Sequence, residues 1–340
     1  MQFDVRGMGR APVPRFIAVK NFAFLFLFAA ACATTARTPV PAAEPPVANA
    51  SAAFTVANSR DLIPEGIAYD AESDSFFISS IYRRKVVKAG ASGVHDFIAE
   101  GQEGMLSSLG MKIDAKRRLL WVASCAAPEM RGYTRDDEGK AALFAYNLGD
   151  GALVRKLVTG DASHHALLND LAILDDGTLL VTDSERGAVY RVLPQVDRLE
   201  PYLDGFHYPN GIALSDDQHT LFVADSEAIT RIDLTDAAEP RKSGTLPVPG
   251  VDGLSFYRGD LIAIQNHTAN PRVVRIRTGD GSVQTLESGN VLFDIPTTGV
   301  VAKDAYYFVA NSQLRAFDAQ HRIRAYDTLK DPVLLRIPLQ

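Results

Sequence analysis

Four short stretches of the 340-residue chain open on an oxygen-bearing side chain at a comparable place: Glu65-Gly66-Ile67, Asn169-Asp170-Leu171, Asn210-Gly211-Ile212 and Asp252-Gly253-Leu254. Two more share the pattern with less reactive first residues, Leu109-Gly110-Met111 and Thr298-Gly299-Val300. Two carboxylates and two carboxamides brought to one point offer only hard oxygen donors, the set that a calcium ion prefers. Without a cation, Glu65 and Asp252 would repel each other and lose hydration as well, and a divalent ion removes both costs. The expected cofactor is therefore one divalent metal, calcium first and zinc, manganese or magnesium after it, at Glu65, Asn169, Asn210 and Asp252. The competing reading is that Asn and Asp before Gly simply make turns.

Convergence of this kind needs a scaffold that repeats. Each stretch leads through a turn into a β-rich run, such as Ser75-Phe76-Phe77-Ile78-Ser79 or Thr220-Leu221-Phe222-Val223-Ala224-Asp225. Successive entries are 44, 60, 41, 42 and 46 residues apart, and a four-stranded propeller blade takes about 40–50 residues. The excess in the second copy falls in the polar stretch Glu129 to Lys140, which reads as an inserted loop. Apolar residues alternate with period two and no helical period is sustained after Ser51, so the expected class is all-β, a six-bladed β-propeller with an axial metal site over residues 52–340. Closing the ring requires a strand that hides the last edge, from Ala53-Phe54-Thr55-Val56-Ala57 or from Val333-Leu334-Leu335-Arg336-Ile337.

In a propeller the first strand of each blade lines the central channel, so the six entries form a ring at one mouth. The second strand returns to that mouth, which puts Ser80, Ser124, Asp183, Asp225, Gln265, Asn266 and Asn311 on the metal's face. Most of these are expected to cap loops, as Asx and Ser side chains do. His164-His165 and His267 flank the mouth as candidate general bases, with ordinary loop histidines as the alternative. Leu109, Met111, Leu167 and Leu168 suggest a partly apolar rim.

The composition, 46% hydrophobic and 22% charged, is that of a globular chain. A net charge of −6 argues against nucleic acid or an anionic membrane surface as a partner. Cys32 and Cys125 are the only cysteines, so any metal must be held by oxygen or histidine. At the amino terminus, Arg6, Arg10, Arg15 and Lys20 precede an apolar run from Phe22 to Ala31, the layout of an export signal over residues 1–32. Ala29-Ala30-Ala31-Cys32 is similar to a bacterial lipobox with alanine where leucine is usual. Lipidation at Cys32 and plain cleavage near Ala33 are thus two routes to the same outcome, a protein exported to the periplasm or held as an outer-membrane lipoprotein. Residues 33–51 read as an Ala/Pro-rich tether. Cys125 is expected to be inert filling.

Pro64-Glu65-Gly66, Asn169-Asp170, Pro209-Asn210-Gly211 with Thr220 to Ser226, and Val251-Asp252-Gly253 resemble the senescence marker protein/gluconolactonase family, which includes regucalcin, and its relatives diisopropyl fluorophosphatase and paraoxonase. The resemblance runs from about Ser51 to the carboxyl terminus. It implies a six-bladed propeller with a divalent ion on the axis at Glu65, Asn210 and Asp252, with Asn169 as a fourth ligand or a substrate contact. It also implies hydrolysis of a lactone or related ester. Three departures bear on substrate and metal count: Leu167 stands where gluconolactonases commonly place arginine, Leu109 where paraoxonases carry histidine, and Gly66 where paraoxonases use an acid for a second calcium. The mechanism expected on this basis is Lewis-acid activation of the carbonyl, with Asp252 as ligand and as general base or nucleophile and Asn169 beside it. The partners expected are a small-molecule lactone or ester, no nucleic acid, and a membrane only through a lipid on Cys32, with the chain a monomer. The rival reading from another class is a non-catalytic envelope propeller that binds a protein or glycan.

Overall fold

The computed structural model describes residues 45–339. The expected export signal, Cys32 and most of the expected tether lie outside the described residues. Among the described residues, alternating apolar positions fold into 24 strands arranged as six four-stranded antiparallel sheets. The first strand among them, β1 (Ser51–Thr55), belongs to the last blade. Blade 1 is β2 (Pro64–Asp70), β3 (Ser75–Ser80), β4 (Val86–Gly90) and β5 (Gly93–Ile98), and blade 2 is β6 (Ser107–Asp114), β7 (Leu119–Cys125), β8 (Ala141–Asn147) and β9 (Leu153–Thr159). Blade 3 is β10 (Leu168–Ile173), β11 (Leu179–Asp183), β12 (Ala188–Val192) and β13 (Glu200–Leu203). Blade 4 follows as β14 (Ile212–Leu214), β15 (Thr220–Ala224), β16 (Ile229–Asp233) and β17 (Arg241–Leu246). Blade 5 is β18 (Val251–Tyr257), β19 (Asp260–Gln265), β20 (Arg272–Arg277) and β21 (Val283–Ser288). Blade 6 takes β22 (Gly299–Ala302), β23 (Ala305–Val309) and β24 (Val333–Pro338) from the end of the chain and β1 from its beginning.

Both segments expected to close the ring therefore do so side by side: β1 runs antiparallel to β24, with Ser51 opposite Arg336 and Thr55 opposite Val333. Pairing the two ends of the propeller removes the free edge that an open ring would present. The fastening begins before β1. Glu287 at the end of β21 is fully buried, and its Oε2 accepts the backbone N–H groups of Asn49 and Ala50, each at 2.6 Å. Val47 pairs with Ser288 through backbone and hydroxyl. Residues 47–50, in the stretch read as tether, are thus fastened to blade 5, because a buried carboxylate there needs those amides as partners.

The core is divided among the blade interfaces. Six apolar clusters each fill one junction, for example Phe77 and Ile98 against Met111 and Phe144 between blades 1 and 2, or Ile78 against Val309 and Leu334 between blades 1 and 6. A seventh cluster, Ile63, Ile81, Ala127, Phe317 and Leu329, lies in the loops. Glycine after the entry residue is part of the same packing. Gly66, Gly110, Gly211 and Gly253 do not have positive φ, so no left-handed turn requires them. A Cβ on Gly110 would instead lie 2.5 Å from Asn169 O, and one on Gly253 2.7 Å from Thr298 Cα. At Gly66 and Gly211 it would run into the carbonyls of Leu109 and Asp252. In blades 1, 2, 4 and 5 this glycine is the place where the inner strand closes against the entry of the next blade, while Gly299 of blade 6 is closed upon by Tyr306 of its own blade. Among the described residues no helix is long and apolar enough to cross a membrane.

Candidate active site

The entry residues sit where the inner strands depart from regular pairing. The register against the second strand shifts between Pro64 and Ile67, Ser108 and Met111, Leu168 and Leu171, and Val251 and Leu254. Such bulges re-aim side chains next to functional sites. Asn210 and Thr298 lie just ahead of β14 and β22. Hydroxyls on the second strands take up the amides that the bulges free: Gly66 N–H donates to Ser79 Oγ (2.6 Å) and Asp170 N–H to Thr182 Oγ1 (3.0 Å).

Four of the expected residues are buried at this mouth: Glu65, Asn169, Asn210 and Asp252. Glu65 Oε2 and Asn210 Oδ1 are buried oxygens without a hydrogen-bond partner. Asn169 Nδ2 donates to Ser184 Oγ (3.0 Å), and Asp252 Oδ2 accepts from Asn266 Nδ2, whose amide also reaches Pro296 O (2.8 Å). The carboxylates feel one another. Burial, then the charges of Asp252 and Asp170, push the Glu65 carboxyl well up from its ordinary value. Burial raises Asp252 to about 6, opposed by His267, Asn266 and Asn210 and reinforced by Asp170. Buried acceptors with no donor and acids that resist ionisation describe a site short of positive charge.

Asp170 was missed as a site residue. It occupies the position that glycine holds in the other five entries, and its buried carboxylate links blade 3 to blade 4, Oδ1 accepting Leu171 N–H (2.8 Å) and Oδ2 accepting Ile212 N–H (3.4 Å). Burial raises its pKa against the pull of Lys112. Its charge adds to the upward push on the Glu65 and Asp252 carboxyls, beyond the two acids counted from the entries. The signal available in the sequence was the break in the Gly repeat at Asn169-Asp170.

The strand-end residues divide. Asn266 joins Asp252, but the others hold backbone. Asp183 accepts Leu167 N–H (3.0 Å), Asp225 accepts Glu227 and Ala228 N–H (2.9 and 3.0 Å), and Ser124 Oγ accepts Leu106 N–H (3.1 Å). Ser80 Oγ accepts Arg83 N–H (2.9 Å), Gln265 donates to Pro249 O (2.8 Å), and Asn311 accepts Val333 N–H (2.7 Å). Of the histidines, His267 acts on Asp252, whereas His165 is turned toward Glu138, 3.8 Å away in the blade-2 loop. The apolar rim expected from Leu109, Met111, Leu167 and Leu168 is not a rim. All four are buried, in the junctions of blade 2 with blades 1 and 3, because hydrophobic residues at the channel wall gain more from the neighbouring blade than from solvent. Cys125 is buried and its thiol is pushed up by burial, as expected of filling.

An exposed aromatic group stands beside Asn210. Tyr208, two residues before it, is 39% exposed, and the backbone on either side is tied to the end of β15, with His207 O accepting Ser226 N–H (2.9 Å) and Asn210 N–H donating to Ala224 O (2.8 Å). Among the described residues no three histidine, cysteine, aspartate or glutamate side chains gather as a metal cluster. The candidate set is a mixed one, two carboxylates with carboxamide oxygens, and its orphaned oxygens are the feature that fits a hard cation.

Six four-stranded blades with buried polar side chains at their entries define a six-bladed β-propeller. Residues 63–246, more than half of the chain, match the model of the SMP-30/Gluconolactonase/LRE-like region, and the chain belongs to that family. No curated protein matches it in sequence. Its fold is similar to a gluconolactonase from Xanthomonas campestris, at 19% identity and a TM-score of 0.57 over 84% of this chain and 89% of that one. It is also similar to a luciferin-regenerating enzyme, at 15% identity and a TM-score of 0.58 over 86% and 95%. A third similar structure is virginiamycin B lyase from Staphylococcus aureus, at 14% identity and a TM-score of 0.53 over 75% and 80%. Proteins of different chemistry share these six blades, so the activity must be argued from the ring.

Proposed function

We propose that the mouth is a lactonase or esterase site dependent on one divalent cation, calcium first. The observation that carries this reading is the pair of partnerless buried oxygens, Glu65 Oε2 and Asn210 Oδ1, beside the Asp252 carboxylate on one ring. Glu65, Asn210 and Asp252 would hold the cation, with Asn169 as a fourth contact. When bound, a divalent ion there polarises a carbonyl oxygen and offsets negative charge that develops on it. The chain's own groups supply the rest. Asn266 fixes one oxygen of Asp252 by hydrogen bonding and so limits the directions from which the carboxylate can take a proton. Asp252 accepts a proton from water as that water's oxygen bonds to the acyl carbon. The ester C–O bond then breaks, and the proton passes to the leaving oxygen, giving a carboxylic acid and an alcohol.

Family membership and the gluconolactonase among similar folds support this reading. The absence of arginine at Leu167 points away from a polar sugar-acid lactone and toward a less polar substrate. The test is a hydrolysis screen across aliphatic, aromatic and sugar lactones and aryl esters, with and without added calcium and with a chelator. Turnover that needs the cation supports the proposal. No turnover on any of them, with calcium bound, would leave the protein as a binding propeller of the envelope.

A further inference from the structure

We infer that Tyr208 is the substrate-seating residue of the mouth and selects uncharged lactones or esters that carry an aromatic or other flat apolar group. The inference rests on the lactonase reading above. Three entries to the ring share one backbone device, a residue with positive φ followed by proline: Ile63-Pro64 (φ 48), Tyr208-Pro209 (φ 60) and Ile295-Pro296 (φ 57). The shared conformation is therefore structural. The side chains differ: Ile63 and Ile295 are buried at 0% and 4% exposure, whereas Tyr208 is exposed to 39%. A bulky aromatic in the left-handed region costs free energy that glycine or asparagine would not, and here burial does not offset it. The backbone beneath is fixed, since Ser184 Oγ donates to Pro209 O (2.6 Å) and Asn210 N–H to Ala224 O (2.8 Å). Tyr208 stands two residues before Asn210, and the residue before it is tied to the end of β15 that meets the blade entries, His207 N–H donating to Asp225 Oδ2 (3.2 Å) and His207 O accepting Ser226 N–H (2.9 Å), so Tyr208 lies at the mouth rather than on the outer wall. Acids contribute negative charge at its phenol, Glu185, Asp252 and Glu129, the last hydrogen-bonded to His321 Nδ1 (2.6 Å), and this favours an uncharged substrate over an anionic one. Arg186 is committed elsewhere, donating to the carbonyls of His164 and His165 (2.9 Å each). Tyr208 offers a substrate's far end a π-face, suited to a flat apolar group.

The test compares wild type, Tyr208→Gly and Tyr208→Phe, all loaded with calcium, on a phenyl-substituted γ-lactone and on the unsubstituted γ-lactone. Binding of the matching phenyl lactam, which is not hydrolysed, is measured alongside. Tyr208→Gly should raise KM for the phenyl lactone and Kd for the lactam at least ~10-fold. It should leave the ratio of kcat values near one, shift the small lactone far less, and keep or raise the melting temperature, because glycine suits the backbone. Tyr208→Phe should recover most of the lost preference. Equal effects on both lactones, unchanged KM in Tyr208→Gly, or no lactam binding to wild type would overturn the assignment. Lactam binding that depends on Tyr208 with no lactone turnover would support the seat and reject the lactonase reading instead.

Discussion

Replacing Gly110 by alanine sets two effects against each other, and the structure decides between them. Because φ at Gly110 is not positive, alanine fits the backbone there and should stabilise by about 0.4–1 kcal/mol through the unfolded chain. Against this, the new Cβ would lie 2.5 Å from Asn169 O and 2.8 Å from Asp170 Cα, where ordinary contact begins at 3.4 Å. Backbone of the next blade must retreat by nearly an ångström, and overpacking of that kind costs about 1–3 kcal/mol. The clash wins, so Gly110→Ala should be less stable, with a melting temperature lower by roughly 2–5 °C for a body of this size. Gly279→Ala is the control: no atom lies within 4 Å of its Cβ and φ is not positive, so only the gain remains. Equilibrium urea unfolding and calorimetry on the two variants read the difference directly. If Gly110→Ala is as stable as Gly279→Ala, the inner strands do not close on one another as described, and the reason given for the repeated glycine is wrong.

Asp70, buried and bridged by both terminal nitrogens of Arg118 (2.6 and 2.9 Å), is held well below its usual range by that hydrogen-bonded pair. Its contribution is present above the ordinary carboxylate value of 3.8 and is lost as pH falls toward the folded value. Asp70→Asn should therefore lose about 1–3 kcal/mol at neutral pH and flatten the acid side of a stability curve. Glu287→Ala leaves the amides of Asn49 and Ala50 without their acceptor, at about 1–3 kcal/mol, and limited proteolysis should cut the segment before β1 faster than in wild type. In a Cys32→Ser chain, Cys125 should resist a thiol reagent until denaturant is added, because burial raises its pKa and denies access; fast labelling of folded protein would contradict that.

The blade period, the ring order and the two closing segments were legible because each follows from local pattern: alternation for strands, a fixed repeat for blades, and an unpaired edge that must be hidden. The role of the entry glycines was not. Asn-Gly and Asp-Gly look like turn signals, and only the distance to the next blade reveals them as packing. The four buried entry side chains Glu65, Asn169, Asn210 and Asp252 stand out in the sequence because they interrupt apolar strands, whereas Asp170 is hidden by standing beside one of them. Strand-end polar residues could be placed on the right face from topology alone, but whether each turns to backbone or to the mouth depends on loops, as the contrast of Gln265 with Asn266 shows. Leu167 and Leu168 misled as a rim because the sequence does not say how deep a channel wall lies. Tyr208 left only the X-Pro-Asn-Gly signature, which announces a backbone and says nothing of exposure.

The central claim is that Glu65, Asn210 and Asp252 form a cation-dependent hydrolytic mouth. Its most direct test is the initial rate of lactone hydrolysis as a function of free calcium, measured in parallel for wild type and Asp252→Asn, with folding of both verified by their melting curves. The account predicts a saturable rise in wild type from a baseline set by chelator, and a loss of at least ~10²-fold in Asp252→Asn at saturating calcium. A wild-type rate that is the same in chelator as in calcium, or an Asp252→Asn rate equal to wild type, would contradict it.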